Sequence, residues 1–219
     1  MRRRPTRPVI PPLGFDRLTV LYDAVAGVLG YGAALQERVF AAAAPGDGET
    51  LLDIGMGTGT FVVLAKSRLP TSRVIGVEPD LGALLRARGR IARSGLAIET
   101  IQAQAETLPI GSGSVDVVVS SLVFHHLGTA SKLEALGEIR RVLRPNGRFL
   151  LADFGPPDKV WSRVLFALIR RSGVPEAATL RDNVDGRLPL LLDRAGFAIQ
   201  AVAPTYRGLQ ILLARVEPA

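Results

Sequence analysis

The chain has 219 residues, 47% of them apolar, a formal net charge of +7 and no cysteine. This size suits one α/β domain with a real core, and the composition excludes fibrous and disordered classes. The lack of cysteine excludes disulfides, thiolate metal sites and cysteine nucleophiles, and no apolar stretch reaches the roughly 18 residues of a membrane span.

Arg2, Arg3, Arg4 and Arg7, interleaved with Pro5 and Pro8, predict a flexible basic arm over residues 1–12. Residues 9–15 (VIPPLGF) are too short and too proline-broken for a secretory core, so a cytoplasmic protein is expected. The positive charge fits nucleic acid, an acidic membrane surface or an anionic substrate, and equally well arginine-rich codon usage. Residues 13–44 carry apolar residues at helical spacing, broken near Gly30 and Gly32. The pattern then changes. Residues 50–54 (TLLDI) read as a buried strand, Gly55 to Gly59 as a loop and 60–69 as a helix. Residues 73–77 are a second strand, 81–93 a helix, 97–102 a third strand, 115–120 a fourth and 130–143 a helix. A turn at Pro145-Asn146-Gly147 leads into a fifth strand over 147–153. Regular strand–helix alternation implies a parallel sheet with helices on both faces. Residues 158–171 and 186–195 read as helices. Residues 197–203 and 209–216 read as strands joined by the loop Pro204 to Gly208. That loop is too short for a crossover, so the last two strands form an antiparallel hairpin.

Residues 51–59 read LLDIGMGTG. The strand ends in Asp53, and glycines follow at 55, 57 and 59, where the backbone can approach a ligand closely. The loop opens on a helix N-terminus near Thr60, a place that favours anions such as a carboxylate, while Asp53 can receive an ammonium group. A ligand with both is an amino acid. The dinucleotide fingerprint G-x-G-x-x-G fails at Thr60, and a terminal hairpin is unlike the all-parallel nicotinamide pattern. Glu78, at the end of VIGVE, stands about 20 positions after the loop, where a carboxylate accepts from ribose hydroxyls.

With these residues in place, the chain resembles the class I S-adenosylmethionine-dependent methyltransferases, in particular the ubiquinone/menaquinone-biosynthesis (methyltransferase type 11) type. The matching pieces are LLDIGMGTG (51–59), VIGVEPD (74–80), AQAETLPIGSGSVDVVVSSLVFHHL (103–127) and RVLRPNGRFLLADF (141–154). The resemblance implies an α/β, Rossmann-like, seven-stranded and mostly parallel sheet ending in the antiparallel hairpin, with an N-terminal helical lid over 13–44. Residues 13–219 are then a single methyltransferase domain, in which 158–195 is an insertion that shapes the acceptor site. It implies S-adenosylmethionine as cofactor and S-adenosylhomocysteine as product. Asp53, Gly55, Met56, Gly57, Thr58 and Gly59 would hold the methionine part, and Glu78 with Pro79 the ribose. Gln104, Ala105 and Glu106 would flank the adenine, and Ser120, Ser121 and Leu122 would line the wall near the sulfonium. Tyr22, with Asp23, would lie over the cofactor in the lid; the alternative is that Tyr22 is a core aromatic. Two positions depart from the family: Met56 replaces the usual loop cysteine, and Gln104 replaces an acidic residue.

Methyl transfer to an alcohol needs a proton removed. The only two histidines are adjacent, His125 and His126, just past the fourth strand, and Asp153 ends the fifth. Neighbouring strand ends form the ligand crevice, so a histidine paired with Asp153 is a candidate general base; the alternative is that His126 caps a turn and Asp153 accepts backbone N–H groups. Adjacent histidines without cysteine argue against a metal site. Residues 158–171 pair an apolar stripe with arginines. They read either as a surface for membrane or a lipid-like acceptor such as a quinone precursor, or as a packed helix whose arginines complement its dipole. No RNA-binding module is attached, and SSLV stands where base methyltransferases carry Asn/Asp-Pro-Pro-aromatic, which argues against nucleic acid. The expected function is methyl transfer to a small organic acceptor at oxygen or carbon. The alternatives are a lipid or quinone acceptor at a membrane surface, a nicotinamide-dependent oxidoreductase, and a non-catalytic scaffold.

Overall fold

A computed structural model describes residues 32–157 and 175–217. The basic arm, Tyr22 and Asp23 of the expected lid and the helix expected over 158–171 lie outside the described residues.

Seven strands form one sheet in the order β3-β2-β1-β4-β5-β7-β6. They are β1 (Thr50–Ile54), β2 (Arg73–Val77), β3 (Glu99–Ile101), β4 (Val115–Ser121), β5 (Leu143–Phe154), β6 (Phe197–Tyr206) and β7 (Leu209–Val216). The pairs among β1 to β5 are parallel, while β7 runs antiparallel to both β5 and β6. Six helices accompany them among the described residues: α1 (Ala33–Ala43), α2 (Thr60–Arg68), α3 (Leu81–Ser94), α4 (Thr129–Val142), α5 (Pro175–Val184) and α6 (Leu188–Arg194).

The sheet is buried on both faces, which is why its central strands are near-continuous apolar runs. Successive side chains still alternate between faces. Leu51, Val117, Val119, Leu150 and Ala152 pack with α1, α2 and α3. Their neighbours Leu52, Val118, Phe149 and Leu151 pack with α4 and α6 on the other side. Helix ends follow local chemistry. Asp80 caps α3 by accepting from the Ala83 N–H at 2.7 Å, and Gly95 closes it with φ +68°. The C-terminal carbonyls of α1, at Ala43 and Ala44, receive the Arg148 guanidinium, which also pairs with Glu49.

Three local expectations change. The Pro145-Asn146-Gly147 turn is a bulge inside β5: the step from Val115 to Val117 on β4 is matched by the step from Leu143 to Arg148. The extra residues are extruded, and pairing resumes beyond them. The loop Pro204 to Gly208 contracts to Arg207 and Gly208, with φ +51° and +84°, since a two-residue turn with both φ positive matches strand twist. Pro204 is tolerated because β6 is the outermost strand. Helix α5 was not foreseen, and its sequence shows why. Over 178–184 its buried side chains are Asp182 and Asn183, so it carries no apolar stripe to read.

Candidate functional site

The carboxyl ends of β2, β1, β4 and β5 lie side by side, and each delivers a polar side chain to one edge of the sheet. Asp53 pairs in register with Gly76 of β2 and Val119 of β4. Beyond it the chain turns at Gly55 (φ +72°), Gly57 (+54°) and Gly59 (+80°). The N–H groups of Gly55 and Met56 both donate to the Val77 carbonyl, at 2.8 and 3.0 Å, and pin the loop to the end of β2. A Cβ on Gly55 would overlap Val123 Cγ2, so glycine is required there for space as well as for φ. On Gly57 a Cβ would meet nothing within 4 Å; this side of the loop is open. Met56 turns away from that opening. Its side chain is buried over Gly76, whose missing Cβ makes room for the sulfur. Arg90 of α3 donates from Nε to the Thr58 carbonyl at 2.9 Å and braces the far side of the loop.

Glu78 ties these pieces together. Its Oε2 accepts from the Gly57 N–H at 2.9 Å, and its Oε1 from the Asp80 N–H at 3.0 Å. Two of roughly four acceptor positions on the carboxylate are thereby used. Burial pushes its pKa up, against the two backbone N–H groups that favour its charged form. Asp53 is pushed further, up to about 8, first by burial and then by the neighbouring Glu78 charge. Removing water disfavours a bare carboxylate, so Asp53 suits a ligand that brings its own positive charge.

Gln104, Ala105 and Glu106 follow β3; Ala105 is buried and the other two half-buried. Pro79 is half-buried, and its carbonyl accepts from Gln102. At the end of β4, Ser120 is buried and its hydroxyl donates to the Ile54 carbonyl at 3.3 Å. The Ser121 hydroxyl is buried without a partner among the described residues. Leu122 adopts φ +58°, held there by its N–H on the Ala152 carbonyl at 2.9 Å. A branched residue in this region is strained, and such strain concentrates at functional sites.

The two histidines separate. Residues Phe124–His126 form a 3-10 turn. His125 Nδ1 lies 2.9 Å from Asp153 Oδ1, its side chain 13% exposed and that of Asp153 fully buried. His126 is exposed, with its ring centroid 3.9 Å from that of His125. Asp153 also accepts the backbone N–H groups of Val123 and His125 on Oδ2, at 3.0 and 3.3 Å, and that of Phe154 on Oδ1, at 2.7 Å. Asp153 thus faces an imidazole and accepts backbone N–H groups at the same time. A partner that the sequence reading missed is Asn183, fully buried on α5, whose Nδ2 donates to Asp153 Oδ1 at 3.1 Å. Beside it, Asp182 accepts from Thr129 Oγ1 at 2.7 Å and pairs with the fully buried Lys132 at 3.4 Å. No motif marks these residues. The signal was a lysine at a core-facing helical position, Lys132, three before Ala135 and four before Leu136.

A model of the methyltransferase domain matches residues 52–151. The chain is 32% identical over 147 residues to a demethylmenaquinone methyltransferase of Thermus thermophilus, covering 66% of each chain. It is 31% identical over 175 residues to an uncharacterized methyltransferase of Synechocystis, covering 78% of this chain and 77% of the relative. The chain spans between 46% and 66% of the length of the first curated relatives it matches. Among solved structures, a SAM-dependent methyltransferase from Aquifex aeolicus superposes with a TM-score of 0.71 at 18% identity, over 91% of this chain and 97% of the other.

Proposed function

Because the chain belongs to the class I methyltransferase-domain family, of the ubiquinone/menaquinone-biosynthesis type, we propose that it transfers the methyl group of S-adenosylmethionine to a small organic acceptor, at oxygen or at an activated carbon. The observation that carries this reading is the meeting of buried Asp53, the open side of the glycine loop and Glu78 at one sheet edge. These residues fit the cofactor. Asp53 takes the ammonium of the methionine part, and the loop with the start of α2 takes its carboxylate. The unused acceptor positions of Glu78 take the ribose hydroxyls. Gln104, Ala105 and Glu106 flank the base, and Ser120 to Leu122 form the wall by the sulfur. When bound, S-adenosylmethionine supplies an electrophilic methyl group on a sulfonium.

The rest falls to the chain's own side chains. Four N–H groups besides the imidazole donate to Asp153, so it serves the ring as an acceptor only. His125 therefore carries its hydrogen on Nδ1 and offers a lone pair at Nε2. That atom takes the acceptor's proton as the methyl group arrives, and Asp153 holds the charged ring that forms. The exposure of His126 leaves this role to His125. Residues 13–219 act as one methyltransferase domain. A quinone precursor is a second reading, supported by the name of the Thermus relative; turnover of a demethylated quinone headgroup, against soluble phenols, separates the two.

The testing experiment is calorimetric titration with S-adenosylmethionine, S-adenosylhomocysteine and NAD(H), followed by thermal melts. The two adenosyl-sulfur compounds bind, and at about a hundred times Kd they stabilise by roughly 2.7 kcal/mol. Binding of NAD(H) alone overturns the reading, and binding of none of the three leaves a scaffold.

A further inference from the structure

Asn183 stands out among the buried polar groups. It is fully buried, and its Oδ1 has no partner among the described residues. An apolar side chain of the same size would pack without that cost, because a buried acceptor left unpaired is expensive. Such an exception calls for a reason. The reason lies at the other end of the amide: Nδ2 donates to Asp153 Oδ1 at 3.1 Å, the oxygen that also faces His125 Nδ1 at 2.9 Å. Reversing the amide would set its oxygen against the carboxylate, so the orientation is fixed.

The helix that carries Asn183 is held to this place by polar bonds. Lys132 Nζ donates to the Thr179 carbonyl at 2.7 Å and pairs with Asp182, which also holds Thr129. Lys132 is close enough to Asp153 to feel its charge. Among the described residues, Asp153 from β5 and the adjacent His126 face the imidazole directly, while Lys132 from α4, paired with Asp182 from α5, acts on Asp153 by its charge. Asn183 is the neutral member, and it reaches the carboxylate directly.

We propose that Asn183 is a positioning residue for the His125–Asp153 pair: by donating to Oδ1 it shares that oxygen with the imidazole, and so sets how firmly and at what angle the ring is held. This rests on the reading of His125 as the proton acceptor. Hydrogen bonds to one acceptor weaken each other, and removal of one donor tightens the rest.

The test is nuclear magnetic resonance of the histidine rings, which is simple because the chain has two histidines. In the whole protein, His125 shows the Nδ1–H tautomer. In Asn183→Leu its Hδ1 resonance moves downfield, while calorimetric affinity for S-adenosylmethionine stays within about twofold of the unsubstituted protein. An unchanged Hδ1 resonance in a folded Asn183→Leu protein overturns the proposal. If that variant does not fold, the unsubstituted protein decides: the Asn183 side-chain amide protons exchange slowly when bonded to Asp153, and exchange as fast as an exposed amide overturns the proposal. Absence of cofactor binding in the unsubstituted protein would instead sink the methyltransferase reading, and the ring resonances would still report on Asn183.

Discussion

At the scale of single residues, Gly55 joins the two halves of the site. A Cβ there would strike Val123, whose N–H is one of the donors on Asp153. Gly55→Ala must also hold φ near +72°, which costs about 1–2 kcal/mol before any clash. The expected outcome is a loss of at least tenfold in S-adenosylmethionine affinity by calorimetry, together with a lowered melting temperature; unchanged affinity would mean that the loop can yield without disturbing the ligand side. The glycine loop, Asp53 and Glu78 were legible because strand–loop–helix punctuation and acidic spacing are written in adjacent residues. The pairing of a histidine with Asp153 was legible as an adjacency of strand ends, but which of the two histidines faces it was not. Asn183 was not, because its meaning comes from burial beside a residue 30 positions away, which no local pattern records; Lys132 showed only as a lysine on a core-facing helical position, with nothing nearby in sequence to name its partners on α5.

Among the elements, α5 is the informative one. Helices read well when an apolar face repeats, as in α3 with Ala83, Leu84, Ala87 and Ile91 buried. The described part of α5 lacks such a face, and its docking depends on the Lys132–Asp182 pair. Removing one partner of a buried pair leaves an uncompensated charge, at a cost of about 3–5 kcal/mol, whereas replacing both with apolar residues is often neutral. Lys132→Met is therefore expected to lose most of that stability in urea denaturation, and Lys132→Met/Asp182→Leu to regain the larger part of it. Equal destabilisation in both variants would show that the helix is held by other means. The bulge in β5 was misread for a related reason: Pro-Asn-Gly marks a turn locally, but whether the turn ends a strand or bulges within one is decided by pairing with β4.

For the molecule as a whole, the site sets a pH dependence. Asp53 in the folded protein titrates near 8 instead of 3.8, and Glu78 is raised as well. Folding therefore takes up protons between those limits, and their contribution to stability is lost as pH rises through that window. Glu49, Glu99, Asp116 and Glu138 are shifted down, with arginine partners among the causes; their contribution falls only under acid conditions and is complete above about pH 5. The melting temperature of the ligand-free protein is thus expected to decline from about pH 5 to pH 8, and Asp53→Asn to flatten that decline. A melting temperature that rises over this range would mean that Asp53 ionises freely in the folded chain. The sheet order has a consequence of another kind. β7 lies between β5 and β6 although it follows both in the chain. A nascent polypeptide leaving the ribosome therefore exposes the open edge of β5, with Phe149 to Phe154, until residues 209–216 have cleared the exit tunnel. For that interval the half-made sheet is a template for any passing strand, and a natural client for chaperones.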